Sequence, residues 1–567
     1  MNSFAPFRQF RSVIGATVFF SALVNLLLFT SPLYMMSIYD RVLSSRSVPT
    51  LLVISAIAVY LILLQGAIEY IRSAVLIRAG KAFEAETRMA VGHATIALQG
   101  QHPDQASQLQ RDADIFREFA AGAGIIAFLD APWAPVFVLV CFVMHPLIGV
   151  VALLGALILF TLALVSARMT RKPLLAATEA AHQSLSELSA MMRSHEVLRA
   201  NGMVDAALRR WSVQREALIG LQGRASDLAG AVLAVTKFVR LILQVGILGI
   251  GAWLAISDAI AGGAIFAASL VMGRALSPVE QAVAHWKNFV QARQAYRRLS
   301  AVLAKPAAKR ETTLPAPEGR LSIENLFVVA PGTHTAILRG VTFSAAPGEV
   351  IVVVGQTGAG KSTLLKAIAA VLPAASGAVR YDNHEIPEYD PEILGRAVGY
   401  LPQSVDLFPG TVAANIARLD DPDYLVSSEG TARVLRAAQL AGVDEMIARM
   451  PQGFATQVGP GGMSLSGGQC QRIGLARALY GDPSVLILDE PNSNLDPIGD
   501  RALAEAIMHA RSRKATILVS SHKPELLQCA DHILVLENGQ VKAFGPRAAI
   551  LNALNSRAPA RPAAATA

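Results

Sequence analysis

The residues best suited to chemistry stand in one run, Gly355-Gln356-Thr357-Gly358-Ala359-Gly360-Lys361-Ser362, which fits G-x-x-x-x-G-K-[ST] at every specified position. Gly355, Gly358 and Gly360 let the backbone turn tightly and aim successive N–H groups at phosphate oxygens, a nest completed by the helix N-terminus that follows. Lys361 brings a cation to the β- and γ-phosphates of a nucleotide, and the Ser362 hydroxyl can ligate the Mg²⁺ that accompanies them. The flanks supply the necessary context. Glu349 to Val354 is an almost unbroken β-branched run that predicts a buried parallel strand, and Thr363 to Ile368 has helical spacing.

A phosphate cradle needs metal and water ligands to hydrolyse anything, and Val485-Leu486-Ile487-Leu488-Asp489-Glu490 is the candidate source. The apolar strand would deliver Asp489 to the magnesium shell and place Glu490 to orient or deprotonate the attacking water. Between cradle and carboxylates lies Leu465-Ser466-Gly467-Gly468-Gln469, the signature of ABC-type ATPases, which this part of the chain therefore resembles. Gln403 in Tyr400-Leu401-Pro402-Gln403 is similar to the family's Q-loop glutamine, Asn494-Leu495-Asp496 to its D-loop, and His522, after Ile517-Leu518-Val519-Ser520, to its switch histidine.

The resemblance implies ATP and Mg²⁺ as cofactors, with Glu490 and His522 catalytic. Ser362, Gln403 and Asp489 would surround the metal. The nucleotide would be held by residues 355–363, from Gly355 through Thr363, with Gln403, Ser466, Gly467, Gly468, Gln469 and Asp496. In that family the signature of one chain closes over ATP held by a second. One phosphate loop and one signature in this sequence thus imply a homodimer with two composite sites, where Ser466, Gly467 and Gly468 offer donors to the γ-phosphate. Family members usually stack an aromatic residue on adenine; the matching position here, before Pro331-Gly332, is Ala330.

Composition explains what surrounds this engine. Hydrophobic residues make up 53% and charged ones 16% of 567 residues, with a mean hydropathy of +0.42. That is too apolar for a soluble ATPase, so the surplus belongs in lipid. The net charge of +8 fits cytoplasmic loops facing anionic membrane lipid, and no nucleic-acid partner is expected. Cys141, Cys470 and Cys529 are too few and too scattered for a disulfide framework or a metal site.

Uncharged runs predict six spans at about 12–39, 48–68, 122–144, 146–167, 228–257 and 259–273. Lys and Arg crowd the loops on one side, so both termini and the ATPase are expected in the cytoplasm. Asp130, Lys237, Arg240 and Arg274 are costly in lipid and should face a cavity or pair with one another. The expected organisation is a transmembrane domain over 1–303, a Pro/Ala-rich linker over 304–320, a nucleotide-binding ATPase domain over 321–555 and a disordered tail over 556–567. The fold class is a membrane α-helical bundle of six transmembrane helices, ABC exporter type, fused to an α/β P-loop ABC ATPase domain.

Two charged helical stretches, 69–119 and 168–227, are expected to act as levers with tips near His102-Pro103-Asp104 and Asn201-Gly202-Met203. Residues 31–51, Phe128-Leu129-Asp130-Ala131-Pro132-Trp133-Ala134-Pro135, Asn201-Gly202-Met203 with Trp211, and Asp489 to Asp496 are similar to type I protein-secretion exporters, particularly the protease and lipase branch. This resemblance implies an inner-membrane ATPase working with a periplasmic adaptor protein and an outer-membrane channel to export unfolded polypeptides that bear a C-terminal signal. Eleven residues before the first span leave no room for the peptidase-like domain of other secretion exporters, so leader cleavage is not expected. A half-transporter for lipid or amphipathic small molecules, and an ATP-gated channel or regulator, are the rival readings. Six apolar spans exclude a soluble DNA-handling ATPase.

Overall fold

The computed structural model describes residues 5–99, 103–303, 314–330, 335–459, 463–521 and 523–555. His522, the tip residue His102, Pro331-Gly332, most of the expected linker and the C-terminal tail lie outside the described residues. The chain divides into two compact units, Met1–Ala307 and Ala308–Ala567.

Among the described residues of the first unit six helices are long and apolar enough to cross a membrane. The uncharged runs form them because nothing in Val, Leu, Ile and Ala interrupts a helix whose backbone bonds are all internal, the condition that lipid imposes. The helices outrun the apolar runs: Val48–Gln99, Pro146–Arg193 and Val204–Ile256 continue unbroken into charged sequence. The two middle spans turn at His145, whose extended backbone precedes Pro146 and whose ring accepts a bond from Leu147 N–H. Ala123–Met144, Pro146–Arg193, Val204–Ile256 and Gly262–Ala284 share a core built on Phe137, Cys141, Ile148, Ile247 and Met272.

Buried charges pair differently from the sequence expectation. Asp130 does not meet Lys237, Arg240 or Arg274; it meets Arg72, 3.1 Å away and almost fully buried, together with Ser21 and Asn25 of the first span. Arg240 pairs with Glu280 at 3.0 Å, across from the fifth span to the sixth. In sequence Arg72 reads as part of the charged stretch that begins at Glu69, and only the packing of three helices brings it to Asp130.

In the second unit the strands Gln540–Pro546, His532–Glu537, Val350–Val354, Thr516–Ser520, Val485–Asp489 and Val398–Leu401 lie side by side in that order. All neighbours are parallel except the first pair. Central strands read as continuous apolar runs because helices cover both faces. A second, antiparallel sheet is formed by Leu321–Val329, Ala336–Ala345, Ser376–Tyr381 and His384–Glu385. Helices from Val412 to Ala448 pack with the helix Gly467–Leu479 on the main sheet's other side.

Candidate functional site, a nucleotide cradle at the strand ends

Parallel strands share a direction, so their C-terminal ends open onto one edge of the sheet, where ligands of such folds bind. Val350–Val354 feeds Gly355, Val485–Asp489 ends on Asp489, and Val398–Leu401 leads to Gln403. Register pairs Ser520 with Asp489 on one side and with Val353 on the other. Three distant sequence motifs are thereby brought within hydrogen-bond reach of one another.

The loop itself is shaped by glycine where nothing else fits. Gly358 and Gly360 have φ of +83° and +101°, and a Cβ at Gly360 would lie 2.9 Å from Leu338. Gly360 caps the helix Lys361–Ile368. Lys361 is buried, and its Nζ donates to the carbonyls of Gly355 at 2.7 Å and Gln356 at 3.3 Å, which curls the ammonium over its own loop. Ser362 and Thr363 open the helix beneath it.

Asp489 is 1% exposed, and its Oδ1 accepts from Ser362 Oγ at 3.1 Å and from Ser520 Oγ at 2.7 Å. Its Oδ2 is buried with no hydrogen-bond partner among the described residues. A shielded carboxylate oxygen without a partner is costly, and a cation relieves that cost, so this donor set fits Mg²⁺. Among the described residues no group of three His, Cys, Asp or Glu side chains is placed to hold a metal ion by itself. Burial, and then the Asp489 charge, push the nearby Tyr400 hydroxyl up to about 12, so it stays protonated.

Glu490 sits at φ +45°, a left-handed backbone unusual for a non-glycine residue. Its N–H donates to Ser520 Oγ at 2.8 Å, and its Oε2 accepts from Gln403 Nε2 at 2.8 Å. Sequence reasoning read Ser520 only as the end of a strand. Here that hydroxyl holds both carboxylate residues; the available clue was a polar residue closing an otherwise apolar buried run.

Ser466 and Gln469 form a reciprocal capping box at the start of Gly467–Leu479, which leaves the helix N-terminus presented behind two glycines. A Cβ on Gly468 would fall 2.7 Å from the Asn494 carbonyl, so the D-loop packs directly on the signature. Asp496 caps the next helix by accepting from Gly499 N–H. Ala330 closes its strand with an N–H bond to Thr335 and offers no ring.

A six-helix membrane unit joined to a sheet with this cradle defines an ABC exporter. Residues 14–277 match the ABC transporter transmembrane region and residues 338–493 the ABC transporter family. The chain is 39% identical over 96% of its length to the type I secretion system ATP-binding protein PrsD of Rhizobium meliloti, covering 94% of that protein. It is 28% identical to the cyclolysin secretion/processing ATP-binding protein CyaB of Bordetella pertussis, over 96% of this chain and 76% of the relative. The fold matches a bacterial Atm1-family ABC exporter with ATP bound, at a TM-score of 0.76 and 19% identity, over 97% of this chain and 99% of that one. The chain belongs to the ABC transporter family, among the ATP-hydrolysing exporters of type I secretion. It is a multi-pass membrane protein with a cytoplasmic ATPase domain.

Proposed function

We propose that the chain is the inner-membrane ATPase of a bacterial type I secretion system, a homodimer that drives unfolded polypeptides with a C-terminal signal out of the cell. It would work with a periplasmic adaptor protein and an outer-membrane channel protein. The observation that carries this reading is the 39% identity to PrsD, a type I secretion ATP-binding protein, across nearly the full length of both. The toxin RTX-I translocation ATP-binding protein of Actinobacillus pleuropneumoniae, 28% identical, points to polypeptide cargo.

In this reading the N–H groups of residues 355–363 and Lys361 bind the ATP phosphates. Bound Mg²⁺ would be held by Ser362, Asp489 and Gln403, and would neutralise charge on the β- and γ-phosphates. Glu490, aimed by Ser520 and Gln403, takes the proton of the attacking water, and His522 assists at the γ-phosphate. Ser466, Gly467, Gly468 and Gln469 of a second copy, with Asp496, complete the shell from the other side, their helix N-terminus facing negative charge. Closure of the pair moves the membrane helices, and hydrolysis releases them.

Purified protein in lipid vesicles tests the cargo. Adding a candidate substrate's C-terminal segment should change the ATPase rate. A response to added lipid alone would favour the half-transporter reading, and no response to either would favour a channel or regulator.

A further inference from the structure

The membrane unit contains a cavity of about 640 Å³ walled almost wholly by carbon, between the spans Ala123–Met144, Pro146–Arg193 and Gly262–Ala284. A smaller cavity of about 290 Å³ adjoins it, and Leu164, Ala167 and Trp286 line both. The character changes abruptly at that junction. The second cavity is ringed by Arg168, Arg171, Arg293 and Arg297, and no carboxylate lines it. None of these four guanidinium groups has an ion-pair partner among the described residues. Four unpaired like charges at one rim repel one another unless an anion joins them. The Trp286 indole N–H, at the junction itself, is shielded from solvent and lacks an acceptor among the described residues.

Depth fixes the kind of anion. The apolar wall on the fourth span runs from Leu153 to Ala167, about 21 Å along the helix, and one leaflet's share of the hydrocarbon core is about 15 Å. Arg168 and Arg171 follow within the next turn. Arg293 and Arg297 lie one turn apart on Trp286–Leu303, the helix between the last span and the ATPase unit, so the charged end is the cytoplasmic one. A long oily slot ending in cations at that surface matches an amphiphile with an anionic head and acyl chains. Tryptophan at the boundary is where such an interface places it.

We propose that this slot is a binding site for an anionic phospholipid of the cytoplasmic leaflet. Its acyl chains lie against Leu153, Leu157 and Phe160, and its phosphate is held by Arg168, Arg171, Arg293 and Arg297. An acidic polypeptide would satisfy the arginines but not the oily wall. A second copy of the chain would satisfy the wall but would need to bring carboxylates.

The full-length chain with Trp133, Trp211 and Trp253 replaced by Phe keeps Trp286 as its only tryptophan. In nanodiscs, phosphatidylglycerol with brominated acyl chains should quench its fluorescence several-fold more than phosphatidylcholine with the same chains at equal mole fraction. The excess should vanish in the Arg168→Gln, Arg171→Gln, Arg293→Gln, Arg297→Gln variant. Equal quenching by the two lipids, an excess that survives in the variant, or no quenching by either would each overturn the proposal, the last because protein then fills the slot. Should the tryptophan-replaced chain fail to insert, native mass spectrometry of the otherwise unaltered protein reads the same question. Phosphatidylglycerol retained by the wild type and lost from the arginine variant supports the site; equal retention defeats it.

Discussion

In the proposed function Glu490 is the residue on which turnover should depend most sharply, because it directly follows the metal-side Asp489 and its carboxylate accepts from Gln403. Glu490→Gln keeps the side chain's shape and its neighbour Gln403 but removes the base, so ATP binding should persist while hydrolysis falls by about 10²- to 10⁴-fold. Steady-state phosphate release alongside nucleotide binding checks this, and near-normal turnover would take Glu490 out of its role. Ala330 carries a second expectation. Ala330→Tyr should add a ring for adenine to stack on, worth about 1 kcal/mol, or about a five-fold lower KM for ATP; an unchanged KM would mean that adenine is held elsewhere. The cradle was legible from sequence because its glycines, lysine and serine are contiguous, and their backbone requirements leave few alternatives. The Gln403–Glu490 bond and the service of Ser520 to the Asp489 carboxylate and the Glu490 N–H were not, because they arise from strand register between segments 87 and 30 residues apart.

At the scale of elements, the charged helices below the spans are tied by side chains that periodicity does not reveal. Trp211 donates its indole N–H to the Ser184 carbonyl, joining Pro146–Arg193 to Val204–Ile256 above the turn where Gly202 adopts φ +63°. Asp112, buried, accepts two bonds of 2.6 Å from Arg298 and fastens Pro103–Ala121 to Trp286–Leu303. Asp112→Ala should lower stability by about 2 kcal/mol, as for a lost bond to a charged group, seen as a lower Tm in detergent. If the helix pair ending at Asn201-Gly202-Met203 transmits force, a flexible Gly-Ser insertion after Gly202 should leave ATPase activity in place and abolish transport. Transport at the wild-type rate would reduce the pair to a spacer. Helical character here was readable from charge mixed with apolar spacing, but the clasps were not, since each partner looks like an ordinary surface residue until the helices pack.

For the whole molecule, the proposed composite sites would leave a lone copy, with its one phosphate loop and one signature, incomplete. The Glu490→Gln variant, which retains ATP, should associate as a dimer when ATP is added, measured by light scattering in detergent. A persistent monomer at saturating ATP would remove the two-site reading. Lys361→Ala should insert normally yet export nothing, and retained export would separate transport from nucleotide binding.

The contact of Arg72 with Asp130 and Ser21, to which Asn25 adds a bond to Asp130, also bears on how the molecule is made. These residues belong to the first, second and third spans, and 58 positions separate the arginine from its carboxylate. A growing chain released two spans at a time would leave the guanidinium without its counterion in an oily surrounding. The first three segments are therefore expected to enter the bilayer as a single consignment, and a stop codon placed before Asp130 should give a fragment of shorter lifetime than one that ends after the third span, read by pulse-chase.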